Sequence, residues 1–358
     1  MMDEITPLHE LESAAGAHFA SFCGWEVASH YGDPAAEYDA LRRSAGVLNV
    51  CFTGRLRITG KDRTRYLHSM LTNDIRALAA GEGCYAALLT RQGWMEADLW
   101  VYAFQEEYRV ECPPCAAGQV YGTLSRHIVG DILKIDVLDG TSGMISLQGP
   151  GSKAVMERTC GIPLPDLQPL SHRSIDGTGG EWLVACRDRT GSGGFDLWLP
   201  ASDMKAVWRS WTEVEGVRPA GLVAWNQLRT EAGIPWYCSD MTGKTLPMEM
   251  GLDSAISFKK GCYRGQEIVA RIKHRGHLDR RLGAVAIDCG ELPPGGAPVI
   301  HRGERIGAVT SAVHSPRLGR ALALAVLRSA FLEPGTAVEV EYGGNRRPGV
   351  VVILPLRD

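Results

Sequence analysis

The chain has 358 residues, of which 45% are hydrophobic and 22% charged, and its formal net charge is −3. This composition is that of a globular protein and excludes a disordered or collagen-like chain, and no apolar run is long enough to span a membrane. The length exceeds what one ordinary hydrophobic core accommodates, so we expect two or three domains. The slightly acidic balance argues against general nucleic-acid binding.

The start of the sequence and the cysteines predict a cytoplasmic protein. The opening Met-Met-Asp-Glu-Ile-Thr is acidic and has neither the basic nor the apolar region of a secretion signal. The ten cysteines are scattered as single residues apart from Cys112 and Cys115, which fits a reducing compartment better than a disulfide framework. A C-P-P-C pair can chelate a metal or carry electrons, but no second pair stands at zinc spacing, so we favour a strand-to-helix connection.

Residues 55–137 carry the first clear succession of secondary-structure elements. Hydrophobic spacing predicts strands at 55–59, 84–89, 98–111 and 132–137 and helices at 62–71 and 116–129. This β-α-β-β-α-β order is typical of a ferredoxin-like unit, and a second approximation to it follows between residues 144 and 211. Beyond residue 281, short alternating segments separated by Gly and Pro clusters predict a small antiparallel barrel or sandwich.

The stretch 259–271, K-K-G-C-Y-R-G-Q-E-I-V-A-R, concentrates more chemistry than any other part of the chain. Gly261 and Gly265 permit a tight turn that presents Cys262, and the cations on either side favour its thiolate form. Residues 259–281 contain eight Lys or Arg and two acidic residues, which predicts an anionic ligand. The alternative is a packed, inert cysteine beside a solvated basic face. Because Tyr263 is the one aromatic residue there, we do not expect RNA binding.

The string K-G-C-Y-R-G-Q-E at 260–267 resembles the K-G-C-[YF]-x-G-Q-E motif of the YgfZ family of folate-binding proteins, a branch of the glycine-cleavage T-protein (aminomethyltransferase) superfamily. Shorter segments resemble the superfamily in the same order along the chain. These segments are L-T-N-D-I at 71–75, L-Q-G-P at 147–150, L-R-T-E-A-G at 228–233 and S-P-R-L-G-R-A-L-A at 315–323.

The resemblance implies an α+β fold with two ferredoxin-like βαββαβ units around a central cavity and a small C-terminal antiparallel β-barrel. The implied domains are a discontinuous folate-binding domain (1–53 and 142–275), a ferredoxin-like domain (54–141) and the barrel (276–358).

The implied function is tetrahydrofolate binding together with assembly, repair or delivery of iron-sulfur clusters, which depends on Cys262. Its partners are folate and iron-sulfur client or assembly proteins, and a transient cluster is a further implied cofactor. The alternative function is a tetrahydrofolate-dependent aminomethyl- or methyltransferase.

The resemblance also implies which residues hold the folate. Asp196 falls at the position of an acid that anchors the pterin, although it can equally cap or pair at a strand edge. Arg229 and Arg264 are candidates for the carboxylates of the folate tail, with Arg229 equally able to pair structurally with Glu231 or another acid. Tyr263 and Gln266 complete the predicted folate-binding set. We predict no resident metal site.

The catalytic acid of the aminomethyltransferases is missing from its expected position. Where they read G-G-x-x-D-D-L, this chain reads G-W-M-E-A-D-L at 93–99, so Ala97 replaces the first Asp. Neighbouring residues on a strand point to opposite faces, so Asp98 is not expected to substitute. The sequence therefore predicts that the aminomethyltransferase reaction is absent.

Overall fold

The computed structural model describes residues 3–164 and 167–356, and these form an α+β protein with three open sheets and one closed barrel. The predicted fold class is confirmed. Within the described ranges no helix is both long and apolar enough to cross a membrane. Short 3₁₀ turns lie at Ile75–Ala77, Pro114–Ala116, Pro247–Met250, Asp253–Ala255 and Ser329–Phe331.

The N-terminal region contributes a small sheet and one strand of a larger sheet. Its elements are β1 (Glu4–Ile5), α1 (His9–Ala14), β2 (His18–Phe22), β3 (Trp25–His30), α2 (Pro34–Arg43) and β4 (Ala45–Asn49). The small sheet has the order β1-β3-β2. Helix α2 begins where the Asp33 side chain accepts a hydrogen bond from the backbone N–H of Ala36 at 3.1 Å, with Pro34 at the first helical position.

The second region forms a five-stranded sheet with the order β6-β7-β8-β5-β9. Its elements are β5 (Gly54–Thr59), α3 (Arg63–Met70), β6 (Gly83–Leu89), β7 (Met95–Ala103), β8 (Glu107–Cys112), α4 (Ala117–Arg126) and β9 (Lys134–Val137). The long strand predicted at 98–111 is in fact the hairpin β7–β8, so the unit has one strand more than the ferredoxin-like pattern. The short turn at 104–106 hardly interrupts the apolar spacing.

The third region builds a six-stranded sheet with the order β11-β12-β13-β10-β4-β14. Its elements are β10 (Ser142–Gln148), α5 (Ser152–Cys160), β11 (His172–Asp176), β12 (Glu181–Cys186), β13 (Gly194–Pro200), α6 (Met204–Thr212), β14 (Val217–Pro219), α7 (Leu222–Ala232) and α8 (Gln266–Arg275). Strand β4 enters this sheet from the N-terminal region and pairs with β10. We propose the predicted division into 1–53 with 142–275, 54–141 and 276–358 as the domain boundaries.

The C-terminal region closes into a barrel with the order β15-β18-β17-β16-β19-β20. Its strands are β15 (Arg280–Ile287), β16 (Pro298–His301), β17 (Glu304–Ser315), β18 (Arg320–Arg328), β19 (Ala337–Tyr342) and β20 (Asn345–Val352). Strand β16 was not predicted, because four residues that begin at a proline give no alternating pattern. Alanine and branched aliphatic side chains fill the barrel interior.

One disulfide departs from the expectation of unlinked cysteines. Cys115 is joined to Cys238, 123 residues away, with 6.3 Å between their Cα atoms. Cys112, the other cysteine of the C-P-P-C stretch, is free and buried at the end of β8. The two cysteines of that stretch therefore do not act as a pair.

Candidate functional site

A cavity of about 370 Å³ lies between the two large sheets, helix α7 and the loop 233–237. This volume is within the range of small-molecule sites. Aromatic side chains provide much of its wall, namely Phe22, Phe52, Tyr85, Trp100, Trp225, Trp236 and Tyr237. The rings of Tyr85 and Trp100 are stacked with their centroids 5.0 Å apart. An apolar wall of this kind suits a flat heterocyclic ligand.

Asp98 places a carboxyl group in this wall. Its side chain is 2% exposed, and its Oδ2 accepts a hydrogen bond from the Tyr85 hydroxyl at 2.8 Å. Its Oδ1 has no hydrogen-bond partner among the described residues. Burial raises the pKa of Asp98 to about 6. A buried carboxyl with a free acceptor and a raised pKa is suited to proton transfer.

Asp98 faces the cavity from the regular part of strand β7, which follows a β-bulge. Leu88 of β6 pairs with Ala97, whereas Leu89 pairs with Met95, so Glu96 is left without a cross-strand partner. Beyond the bulge, Ala97 packs into the core beneath α3 and α4, and Asp98 lines the cavity. The prediction that Asp98 points away from the site and that Ala97 takes the cavity position is therefore wrong.

Asp196, the predicted pterin anchor, is fully buried and bound by an arginine of the same protein. Arg189 donates to it from Nε at 2.9 Å and from Nη2 at 2.7 Å, a two-pronged ion pair. Asp196 does not line the cavity, but Arg189 does. The structure thus shows an internal ion pair, which is the kind of role that the sequence left as the alternative, but on a central strand of the six-stranded sheet and not at a strand edge.

Glu111 is the second cavity carboxyl group, and the sequence did not reveal it. Its Oε1 accepts from Nη2 of Arg189 at 2.8 Å, while its Oε2 is buried and has no partner in the part of the chain that the structure describes. Burial lowers the pKa of Arg189, but the carboxylates of Asp196 and Glu111 together raise it by more, so Arg189 stays charged. Glu111 thus offers an acceptor oxygen that Arg189 holds in place for a ligand.

Arg187 supplies a cation at the same cavity. Its guanidinium lies 3.8 Å from the centroid of the Trp100 ring, and its side chain is half-buried. Arg187 and Arg189 follow strand β12 directly and precede a Gly-rich turn, which is the signal that could have identified them. An arginine stacked on an aromatic ring is well placed to meet an anionic group.

Arg229 lies away from this cavity and is buried. It pairs with Asp240 at 2.6 Å, donates from Nε to Asn226 at 2.7 Å, and donates from Nη2 to Ser311 of the barrel at 3.1 Å. These contacts tie α7 to the barrel. The structural role that the sequence left open for Arg229 is the one observed, with Asp240 as the partner instead of Glu231.

Cys262 is exposed, but it is not one of the described residues that line the cavity. Two of the three cations expected beside it point elsewhere. The Nζ of Lys260 donates to the carbonyl oxygens of His68, Leu71 and Asn73 at 2.5–2.8 Å, and Arg264 pairs with Glu96 at 2.7 Å. Burial lowers the pKa of Lys260 to about 8. The cationic environment predicted for the thiol is therefore not formed by these two residues.

The other predicted folate-binding residues of this segment also lie outside the cavity lining. Tyr263 is buried in a hydrophobic cluster with Leu89 and Val269. Gln266 is the first residue of α8, is half-buried, and does not line the cavity. The segment 260–267 thus attaches α8 to the five-stranded sheet.

Comparison with known proteins agrees with this architecture. The GCVT N-terminal domain matches residues 8–260, and the glycine cleavage T-protein C-terminal barrel domain matches residues 280–358. Aminomethyltransferases of Anoxybacillus flavithermus and Synechococcus sp. (strain WH7803) are 32% identical to the chain over 356 and 362 residues, covering 98% of this chain and 97% of theirs.

The same fold occurs in the crystal structure of the glycine cleavage system aminomethyltransferase T from Bartonella henselae. The TM-score is 0.91 at 24% sequence identity, and the match covers 98% of this chain and 97% of that one. The two domain matches and the 32% identity to curated relatives show that the chain belongs to the glycine cleavage T-protein family.

Proposed function

We propose that this protein binds a reduced folate in the aromatic cavity and transfers a one-carbon unit, as an aminomethyl or methyl group, between the folate and a second substrate. The observation that carries the proposal is the buried Asp98 carboxyl, whose Oδ1 has no partner among the described residues. Membership of a family with curated aminomethyltransferases supports it.

Recognition of the pterin is assigned to Glu111 in place of Asp196. A pterin presents its N3–H and 2-amino donors side by side, and a carboxylate can accept from both. The Oε2 of Glu111 has no partner among the described residues and can accept one of these donors, while both oxygens of Asp196 already accept from Arg189. Trp100 and Trp225 line the same cavity and offer faces on which the ring can stack.

Proton transfer is assigned to Asp98. A group whose pKa is close to the working pH can both release and take up a proton, and the pKa of Asp98 is about 6. The hydrogen bond from Tyr85 holds Oδ2, so Oδ1 is the atom presented to the substrate nitrogen. Arg187 is the candidate for the carboxylates of the folate tail, in place of Arg229 and Arg264.

Tryptophan fluorescence gives a direct test of binding, because Trp100, Trp225 and Trp236 line the cavity. Titration with tetrahydrofolate should quench this fluorescence, and Glu111→Gln should weaken binding about tenfold, since one charge-assisted contact is worth about 1.5 kcal/mol. Asp98→Asn should bind folate but form methylene- or methyl-tetrahydrofolate about 10²–10⁴-fold more slowly. Undiminished turnover by Asp98→Asn, or no quenching of the unmodified protein, would refute the proposal.

A second candidate function rests on the exposure of Cys262 within the YgfZ-type motif. In this proposal the protein assists iron-sulfur enzymes, and Cys262 either ligates a transient cluster or attacks a mixed disulfide or one-carbon adduct. Cys262→Ala should then abolish support of iron-sulfur enzymes in cells while leaving tetrahydrofolate affinity unchanged. Normal activity of those enzymes in cells carrying the variant would remove this candidate.

A further inference from the structure

Three cysteines from distant parts of the sequence meet at the rim of the cavity. Cys23 stands in the turn between β2 and β3, Cys115 follows β8, and Cys238 lies in the loop after α7. Their sulfur atoms all lie within 4.8 Å of one another. Each cysteine is adjacent in the sequence to a residue that lines the cavity: Cys23 to Phe22, Cys115 to Pro114 and Cys238 to Tyr237.

A disulfide alone does not account for this arrangement, because it uses only Cys115 and Cys238. Cys23 and Cys238 both adopt the left-handed backbone region, with φ of 54° and 82°, which is unfavourable for residues other than glycine. The fold therefore holds a third thiol against the pair at a conformational cost. Cys115 is exposed and the other two are half-buried, so a small reagent can reach the group.

Once the disulfide is reduced, the three sulfurs can converge on a single thiophilic metal ion. Zinc–sulfur bonds of about 2.3 Å in a tetrahedron place two sulfurs about 3.8 Å apart. The Cys23 sulfur already lies within 4.8 Å of the other two, whereas the bonded sulfurs of Cys115 and Cys238 have to move apart after reduction. Among the described residues, no histidine, aspartate or glutamate belongs to the group. Three protein ligands with one position open is the arrangement of catalytic zinc sites. Sulfurs that all lie within 4.8 Å of one another can converge on one ion, so a single ion fits this group better than a cluster of several metal ions.

We propose that Cys23, Cys115 and Cys238, in their reduced form, bind one Zn²⁺-like ion through three thiolates and leave its fourth position to an exogenous ligand. Opening the site requires a dithiol, which loses two electrons and becomes a disulfide. The sulfurs of Cys115 and Cys238 gain those electrons and two protons. The ion then displaces the protons of the three thiols as it binds. The folate proposal is independent of this site.

Cobalt(II) reports directly on thiolate ligation because thiolate–cobalt charge transfer absorbs strongly in the near ultraviolet. The full-length protein is first reduced with a dithiol and treated with a chelator, and both reagents are then removed. It should then bind one equivalent of cobalt(II) and show this absorption, and zinc(II) should displace the cobalt(II). The oxidised protein should not bind. Cys23→Ser, Cys115→Ser and Cys238→Ser should each weaken binding at least about tenfold, whereas the exposed Cys262→Ser serves as the matched control and should bind normally.

Labelling of the unsubstituted protein tests the site without variants that can fail to fold. In the reduced protein, zinc(II) should protect Cys23, Cys115 and Cys238, but not Cys262, from alkylation by N-ethylmaleimide. Peptide mass spectrometry measures this alkylation, and a chelator should remove the protection. Normal cobalt binding by folded Cys23→Ser would overturn the proposal, because Cys115 and Cys238 would then be sufficient to hold the ion. Absence of zinc protection at Cys23 would overturn it as well.

Discussion

Replacing Asp98 with Asn should stabilise the protein at neutral pH while it impairs transfer. Burial raises the pKa of Asp98 from 3.8 to about 6, so the folded protein resists ionisation of this carboxyl more than the unfolded chain does. At about 1.4 kcal/mol per pKa unit, the ionised carboxylate costs the folded state about 3 kcal/mol. Asn is uncharged and can still accept from Tyr85, so it avoids this cost.

The sign of the pH dependence follows from the raised pKa. Below about pH 4 the Asp98 carboxyl is protonated in both the folded and the unfolded state, so it does not change the free energy of unfolding. The destabilisation by Asp98 develops as the pH rises from about 4 to about 6, and above that it is constant. The free energy of unfolding of Asp98→Asn should therefore exceed that of the unsubstituted protein by an amount that grows over this interval to about 3 kcal/mol. Urea denaturation at a series of pH values measures it.

A matched control is available at Asp279, whose side chain is 99% exposed. Asp279→Asn should change the free energy of unfolding by no more than about 0.5 kcal/mol at every pH. If Asp98→Asn proves no more stable than the unsubstituted protein at pH 7, or if its advantage shrinks as the pH rises, then the carboxyl is not a strained, buried acid and the reasoning behind its catalytic assignment is wrong.

Three further predictions follow from the buried ion pairs, the Lys260 hydrogen bonds and the raised pKa of Asp98. Arg189→Met should lower the free energy of unfolding by about 3–5 kcal/mol in urea denaturation, because it leaves Asp196 and Glu111 buried without their cation. Lys260→Met should cost about 3 kcal/mol in the same measurement, because three carbonyl oxygens lose their donor, whereas Cys262→Ser should stay within about 0.5 kcal/mol. Initial rates of folate-dependent transfer should rise with pH through about 6, as the Asp98 carboxylate forms, and Asp98→Asn should lack this rise.

Local sequence signals were sufficient for most of the fold. Period-two and helical spacing identified the α+β units and the barrel, because each element buries one face against a core. The hairpin β7–β8 and strand β16 escaped detection for local reasons: a three-residue turn that hardly breaks the apolar pattern, and a strand of four residues.

The site was harder to predict because it depends on a bulge and on long-range pairing. Ala97 and Asp98 point to opposite faces, as the alternation requires, but the alternation does not show which of the two faces the cavity. The pairing of β7 with β6 beyond the bulge at Glu96 decides that. Arg189 neutralises Asp196 and orients Glu111, which is 78 residues away in the sequence. No spacing rule reports a contact of that kind.

The sequence predicted both a reactive thiol and folate binding for the segment 260–267, and the structure separates these two roles. Lys260, Tyr263 and Arg264 are held by contacts inside the protein, and Gly265 has a φ of 82° with a backbone oxygen 2.5 Å from where a Cβ would stand. These residues fix the loop against the five-stranded sheet, which explains them without a ligand. Cys262 is exposed on this fixed loop, as is Glu267, whereas the carboxyl groups suited to folate lie in the cavity. Chemistry at Cys262 would therefore act on a partner, and its loss should leave folate-dependent transfer intact.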